Sequence, residues 1–165
     1  MIIKVPKGHY QIVEKKGIIL KTDFLGSGIG LGIIDKENEI AGLCHYVLPY
    51  KEHDIEVEEG EMVLSGQTMV PLFLEELEKR GFDFASAKVA IAGGSKYKNV
   101  PDSLNIGEIN FKVVQSFLMK YPINPDNIIV RIGFPCQSFL EVNLKESVFK
   151  INLNGEEEVL WKHRF

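Results

Sequence analysis

Short apolar segments separated by polar turns run along most of this chain, and they predict a protein rich in β-strands. Between residues 8 and 21, two alternating segments predict two short strands with a turn at Gly17. The dipeptide Asn154-Gly155, between two further apolar segments, is a strong signal for a two-residue β-hairpin. Other strands are predicted in the segments LGSGIGLGIID, IAGLCHYVLP, SAKVAIAGG, NIIVRIGF, QSFLEVNL and SVFKINL.

Two stretches have the spacing of amphipathic helices instead. Over residues 68–80, apolar side chains recur every three or four positions, so Pro71 has to lie in the first turn, where its missing N–H is tolerated. The second helix is predicted to follow Asn105, an N-cap residue that forms a capping box with Glu108, and to stop before Pro122. Two helices with one apolar face each predict a β-rich α+β domain in which both helices cover one side of a sheet.

Length and composition narrow the class of protein. A chain of 165 residues with 45% hydrophobic residues fits one domain spanning residues 1–165. The net charge of −4 offers no basic surface for nucleic acid. No apolar run approaches the roughly 20 residues of a membrane span, and the first residues lack the apolar core of a signal peptide. We therefore expect a cytoplasmic protein with no nucleic-acid partner and no membrane insertion.

The cysteine and histidine residues form no metal-binding pattern. Cys44 and Cys136 are outside any CxxC pair, and in a reducing compartment both are expected to be free thiols. We expect neither a metal nor a cofactor, since the histidines are scattered along the chain. They are His9, His45, His53 and His163.

Four glycines occupy alternate positions over 26–32, with Ser27, Ile29 and Leu31 between them, and leave one face of a predicted strand almost without side chains. Such a face lets another backbone or a substrate approach closely. No helical pattern follows this segment, so it is not interpreted as a dinucleotide-binding loop.

Four motifs in order resemble the CheD family, the chemoreceptor glutamine deamidases. The first is T-x-x-L-G-S, which begins at Thr22, and the others are GLCHYVLP at 42–49, KVAIAGGS at 88–95 and IGEIN at 106–110. The resemblance extends over about residues 21–152 and implies a CheD-like α/β sandwich with mixed or antiparallel strands and two main helices. The segment 133–138 departs from the family pattern, and the tail after Asn152 looks like an addition.

The resemblance also implies a catalytic triad of Thr, Cys and His, which would release ammonia from a glutamine side chain through a thioester. Thr22 and His45 fall on the family's Thr and His positions, His45 as the base and Thr22 as the group that orients it. The position of the nucleophilic Cys is Gly28. Because glycine has no atom that can attack a carboxamide, the family's route is blocked unless another side chain replaces it.

Three side chains are candidates to replace the missing nucleophile. Ser27 and Cys44 each adjoin a triad position, but neighbouring side chains on an extended segment point to opposite faces, so both are expected to point away from the site. Cys136 follows Pro135 in a loop, and its position relative to His45 does not follow from the sequence.

Three interpretations follow. The first is a catalytically impaired CheD-like chemotaxis protein that acts by binding; the resemblance implies chemoreceptor cytoplasmic helices, a CheC-type phosphatase, or both as partners. The second is an active protein-glutamine deamidase or related amidohydrolase that uses Ser27, Cys44 or Cys136. The third is a role outside chemotaxis on the same scaffold, because a fold does not fix a function.

Overall fold

The computed structural model describes residues 1–54, 63–97, 99, 101 and 105–161. Within these residues the chain forms ten strands and two α-helices. The helices are α1 (Gly66–Lys79) and α2 (Ile106–Leu118). The strands are β1 (Ile2–Val5), β2 (His9–Val13), β3 (Ile19–Thr22), β4 (Ile29–Asp35), β5 (Ile40–Tyr46), β6 (Lys88–Gly93), β7 (Ile128–Ile132), β8 (Ser138–Asn143), β9 (Val148–Leu153) and β10 (Glu156–Leu160).

The strands form two five-stranded sheets, so the predicted single sheet is in fact a pair. The first sheet has the order β1-β3-β8-β9-β10 and the second has the order β2-β5-β4-β6-β7. The pairs β1–β3 and β6–β7 are parallel and the other neighbours are antiparallel. The predicted α+β sandwich with mixed strands and two helices is therefore confirmed.

The first sheet, the second sheet and the pair of helices form three layers with a buried apolar core between each layer and the next. Leu20, Leu140 and Phe149 of the first sheet pack against Leu43 of the second sheet in a core between the sheets. Both helices cover the other face of the second sheet, with Phe73 among the buried side chains of that second core. Strands β4 and β5 are buried along their whole length because both faces are covered.

Helix α1 begins earlier than its apolar pattern predicts. Its N-cap is Ser65, whose side chain accepts a hydrogen bond from the Thr68 N–H. The Asp54 carboxylate holds this end by accepting hydrogen bonds from the Ser65 N–H and hydroxyl and from the Thr68 hydroxyl. Pro71 therefore lies inside the helix, after its first turn, and its predicted place in the first turn is wrong.

Local signals elsewhere are confirmed. The Asn105 side chain caps α2 by accepting a hydrogen bond from the Glu108 N–H at 3.3 Å. The Glu108 carboxylate reaches back to the Asn105 side-chain amide at 3.5 Å, so the predicted capping box forms with a side-chain donor in place of the backbone N–H. Strands β9 and β10 form the predicted hairpin, in which Asn154 and Gly155 have φ angles of 52° and 87°. These left-handed values are those of a two-residue hairpin turn.

Candidate functional site

The site lies where β4 begins and its neighbours β5 and β6 end. Gly28 is buried there, immediately before β4. The carbonyl of Gly28 accepts a hydrogen bond from the Gly94 N–H at 2.8 Å. A Cβ added at position 28 would lie 2.7 Å from the carbonyl oxygen of Tyr46 and 3.2 Å from the Cα of Val47. Since both contacts are with backbone, position 28 has no room for a side chain unless β5 or the loop shifts.

Asn110 of α2 holds this close approach in place. Its amide nitrogen donates to the carbonyl of Ser27 at 2.9 Å and to the carbonyl of Val47 at 3.0 Å, so it bridges the two segments that touch at Gly28. The Tyr46 hydroxyl in turn donates to the Asn110 backbone carbonyl. Asn110 is fully buried, and its side-chain oxygen has no hydrogen-bond partner among the described residues. The helix thus fixes the loop and the end of β5 relative to each other.

His45 lies on β5 with only 2% of its surface exposed. Its neighbours Cys44 and Tyr46 face the helices, so the alternation of the strand directs the imidazole toward the first sheet. The residue paired with it on β4 is Gly30, which has no side chain to compete for the space. Nδ1 of His45 has no hydrogen-bond partner among the described residues.

Burial dominates the protonation of His45. It lowers the pKa of the imidazole from 6.5 to about 4, although a hydrogen bond to the Val5 backbone and the nearby charge of Asp23 act in the opposite direction. The charge of Lys7 lowers the pKa further. The ring is therefore neutral at pH 7 and chemically able to accept a proton, but no thiol is present at position 28 to supply one.

Thr22 ends β3 in the first sheet and is 1% exposed. Its hydroxyl oxygen accepts a hydrogen bond from the Leu140 N–H at 3.0 Å, which extends the pairing of β3 with β8. Its methyl carbon lies 3.3 Å from where a Cβ on Gly30 would be, so Thr22 packs against the strand segment opposite His45. The Thr22 hydroxyl therefore links two strands of the first sheet.

The three possible substitutes lie in different environments. Cys44 is completely buried in the helix-side core, and burial raises the pKa of its thiol well above the ordinary value. Ser27 is half-buried and lines a cleft of about 190 Å³ at the start of α2. Cys136 is half-buried in the loop between β7 and β8.

The structure brings the Cys136 loop next to the Gly28 segment, which the sequence did not reveal. The Ser95 hydroxyl donates to the Cys136 carbonyl at 2.7 Å, and the Ser95 N–H donates to the Gly26 carbonyl at 2.9 Å. Ser95 therefore connects the two loops. Of the three substitutes, Cys136 combines partial exposure with a backbone that is held next to the loop that carries Gly28.

Two further observations concern metal binding and membrane crossing. No group of three or more metal-ligating side chains lies together in the described ranges, which leave out the His53 side chain and His163. Neither described helix is long and apolar enough to cross a membrane.

Sequence reasoning missed two residues of this site. Asn110 was recognised only as part of the motif IGEIN. It lies four residues from Ile106 and from Val114 on the inward side of α2. A polar residue in an apolar stripe indicates a buried hydrogen bond. Val5, whose backbone contacts His45, carried no signal, because backbone groups are the same at every position.

The fold and the site define a class of protein: a β/β/α sandwich with a buried histidine, His45, beside a loop whose buried central residue is Gly28. The model of the CheD family, described as CheD chemotactic sensory transduction, matches residues 47–130. This chain belongs to the CheD family. The matched range begins two residues after His45, so the positions of the implied triad lie outside it.

Named relatives extend the similarity toward both ends of the chain. The probable chemoreceptor glutamine deamidase CheD of Oceanobacillus iheyensis is 30% identical over 125 residues, which are 74% of each chain. The protein with the same description from Pyrococcus abyssi is 32% identical over 123 residues, 73% of this chain and 74% of that one. The probable chemoreceptor glutamine deamidase CheD 1 of Syntrophus aciditrophicus is 24% identical over 149 residues, 88% of this chain and 90% of that one.

Proposed function

We propose that this CheD-family chain is a cytoplasmic chemotaxis protein that has lost glutamine deamidase chemistry and acts by binding other proteins. The observation that carries the proposal is Gly28, which supplies no nucleophile and whose contact with the Tyr46 carbonyl leaves no room for one. Deamidation by a thiol needs an attacking sulfur, a base within hydrogen-bond reach and a group that orients the base. Here the base His45 has no thiol partner at the position that the resemblance assigns to it.

The surroundings of His45 support the same proposal. A catalytic thiol lies in a partly exposed, electropositive environment, whereas His45 is buried, and a pKa of about 4 makes its imidazole a weak base at pH 7. The Thr22 hydroxyl is bonded to the Leu140 N–H. Both residues therefore act in our proposal as packing residues between the sheets.

The partners in this proposal come from the relatives, which are described as probable chemoreceptor glutamine deamidases. Their description names chemoreceptors, so chemoreceptor cytoplasmic helices are the first partner to test. A CheC-type phosphatase is the second. Binding of either partner depends on surface shape and does not require a reactive thiol.

The test measures binding and deamidation in the same sample. Purified chemoreceptor cytoplasmic fragments are incubated with this chain, and conversion of glutamine to glutamate is followed by peptide mass spectrometry, with the Oceanobacillus iheyensis relative as the parallel enzyme. We expect complex formation by isothermal titration calorimetry and no conversion above the level without protein.

The variants Cys136→Ser and Ser27→Ala separate this proposal from an active deamidase with a substitute nucleophile. Conversion by the native chain that disappears in either variant would overturn the loss of chemistry. Absence of both conversion and binding, to receptor fragments and to a CheC-type phosphatase alike, would overturn the binding role.

A further inference from the structure

A groove of about 650 Å³ lies between α1 and α2, on the opposite side of the second sheet from His45. Its walls come from α1, from the segment that follows α1 and from the C-terminal end of α2. The lining includes Glu75, Glu78, Phe82, Phe84, Phe117 and Tyr121.

Aromatic rings form a continuous floor in this groove. Phe82 and Phe84 have ring centroids 4.9 Å apart, and Phe84 and Tyr121 have centroids 4.5 Å apart. Phe82 and Phe84 are almost fully buried, whereas Tyr121 is half-buried. The buried rings hold Tyr121 in place, so the apolar surface open to a partner comes from Tyr121 and from the half-buried Phe117, and it is largely fixed before binding.

Two exposed carboxylates, Glu75 and Glu78, stand beside this floor on α1. Their charges act on the phenol ring: burial first, then Glu78 and Glu75, raise the pKa of Tyr121. Neither carboxylate forms an ion pair with any residue that the structure describes. With the four charged side chains of the lining counted, Glu75, Glu78, Asp83 and Lys120, the groove has a formal charge of −2.

Two other charged groups on the wall are already engaged. The Asp83 carboxylate accepts hydrogen bonds from the Ala85 N–H and the Ser86 hydroxyl. The Lys120 ammonium lies 5.0 Å above the Phe117 ring. Glu75 and Glu78 are thus the carboxylates that an incoming cation would meet.

We propose that this groove docks an amphipathic, basic segment of a partner protein, with apolar side chains on Phe117 and Tyr121 and a Lys or Arg opposite Glu75 and Glu78. Unpaired carboxylates beside an apolar floor complement such a segment in both charge and polarity. A cation placed there can also interact with the face of an aromatic ring. The surface is separate from the His45 site, and the inference holds whether or not the chain deamidates glutamine.

The probe is a synthetic helical peptide of Leu and Lys with one apolar face, and its counterpart in which every Lys is replaced by Glu. Binding to the full chain is followed by NMR at low salt. We expect the Lys peptide to shift resonances of Phe84, Phe117 and Tyr121, and the Glu peptide to leave them unchanged. The double variant Glu75→Gln/Glu78→Gln should weaken binding about three- to tenfold, since exposed ion pairs each contribute modestly.

The matched control is Glu14→Gln/Glu37→Gln, which removes the same charge from two exposed positions outside the groove. It should change the affinity less than about twofold, because screened distant charges contribute little. Equal weakening by both double variants, shifts confined to other surfaces, or no binding of the Lys peptide would each overturn the proposal. Self-association of the chain through Tyr121 in sedimentation experiments would overturn it too, because a second copy would then be the occupant.

Discussion

Gly26 and Gly28 lie two residues apart in one loop, yet their surroundings are opposite. A Cβ at position 26 would meet nothing within 4 Å, whereas at position 28 it would press on the Tyr46 carbonyl oxygen at 2.7 Å. Gly30, the next glycine, would meet side-chain atoms of Leu25 and Thr22, which can move. The difference shows that backbone packing closes the loop at position 28. A nucleophilic side chain at this position would therefore need a movement of the backbone as well as a different residue.

The largest effect expected from this comparison is that of Gly28→Cys. A side chain forced against backbone should cost about 3 kcal/mol of unfolding free energy, at the upper end of the usual range for overpacking, because a carbonyl cannot rotate away. The same substitution at the open neighbour, Gly26→Cys, should change the unfolding free energy by about 0.5 kcal/mol or less. Urea unfolding of the two variants beside the native chain measures the difference.

Gly28→Cys should also fail to deamidate receptor fragments, because the displaced backbone moves its thiol away from His45. Stability equal to that of the native chain would show that the loop yields easily. Glutamine conversion by the variant would show that only the nucleophile was lost. Either result would contradict the inference that position 28 is closed by backbone packing.

A second prediction concerns how closed the site is around His45. The pKa of His45 in the folded chain is about 4, below its ordinary value of 6.5. The unfolded chain therefore takes up the proton first as the pH falls, and stability that is fully present above pH 6.5 is lost toward pH 4. From pH 7 to pH 5 this histidine should contribute a loss of about 2 kcal/mol.

The measurement is urea unfolding at pH 7 and pH 5 for the native chain, His45→Gln and His9→Gln. His45→Gln should lose less stability between the two pH values than the native chain. His9→Gln, which removes the exposed imidazole paired with His45 on β2, is the matched control for loss of a histidine. If NMR shows that the His45 imidazole titrates near pH 6.5, the inference that this site is closed to water is wrong.

The smallest effect is expected at Thr22, where the structure gives the hydroxyl a role in the first sheet. Thr22→Val keeps the shape but leaves the buried Leu140 N–H without its acceptor, which should cost about 1–2 kcal/mol of unfolding free energy. Thr22→Ser keeps the oxygen and should cost less than Thr22→Val. A Thr22→Val variant as stable as the native chain would show that the hydroxyl serves some purpose other than the bond to Leu140.

Much of the fold was predictable because its signals are local. Asn105 as a helix cap and Asn154-Gly155 as a hairpin turn depend on hydrogen bonds and φ angles within a few residues. The start of α1 was misplaced because Asp54, eleven positions before the N-cap Ser65, fixes Ser65 and Thr68. A pattern of apolar residues contains no information about such a distant carboxylate.

The division of the strands into two sheets was also beyond the sequence pattern. Strands β2 and β3 follow each other closely in the chain but pair in different sheets. Period-two alternation shows which side chains share a face, but not which strand lies alongside.

The sequence by itself determined the family, the presence of glycine at position 28 and the opposite directions of Cys44 and His45, because chain order and strand alternation are local properties. Only the tertiary structure decided that position 28 is closed, that Asn110 bridges Ser27 and Val47, and that the Thr22 hydroxyl bonds to a backbone N–H 118 residues away. These features depend on distances between segments that are remote in the chain, and such distances are set by the packing of two sheets and two helices together. The loop with glycine at position 28 is therefore also a loop with no space for a side chain there.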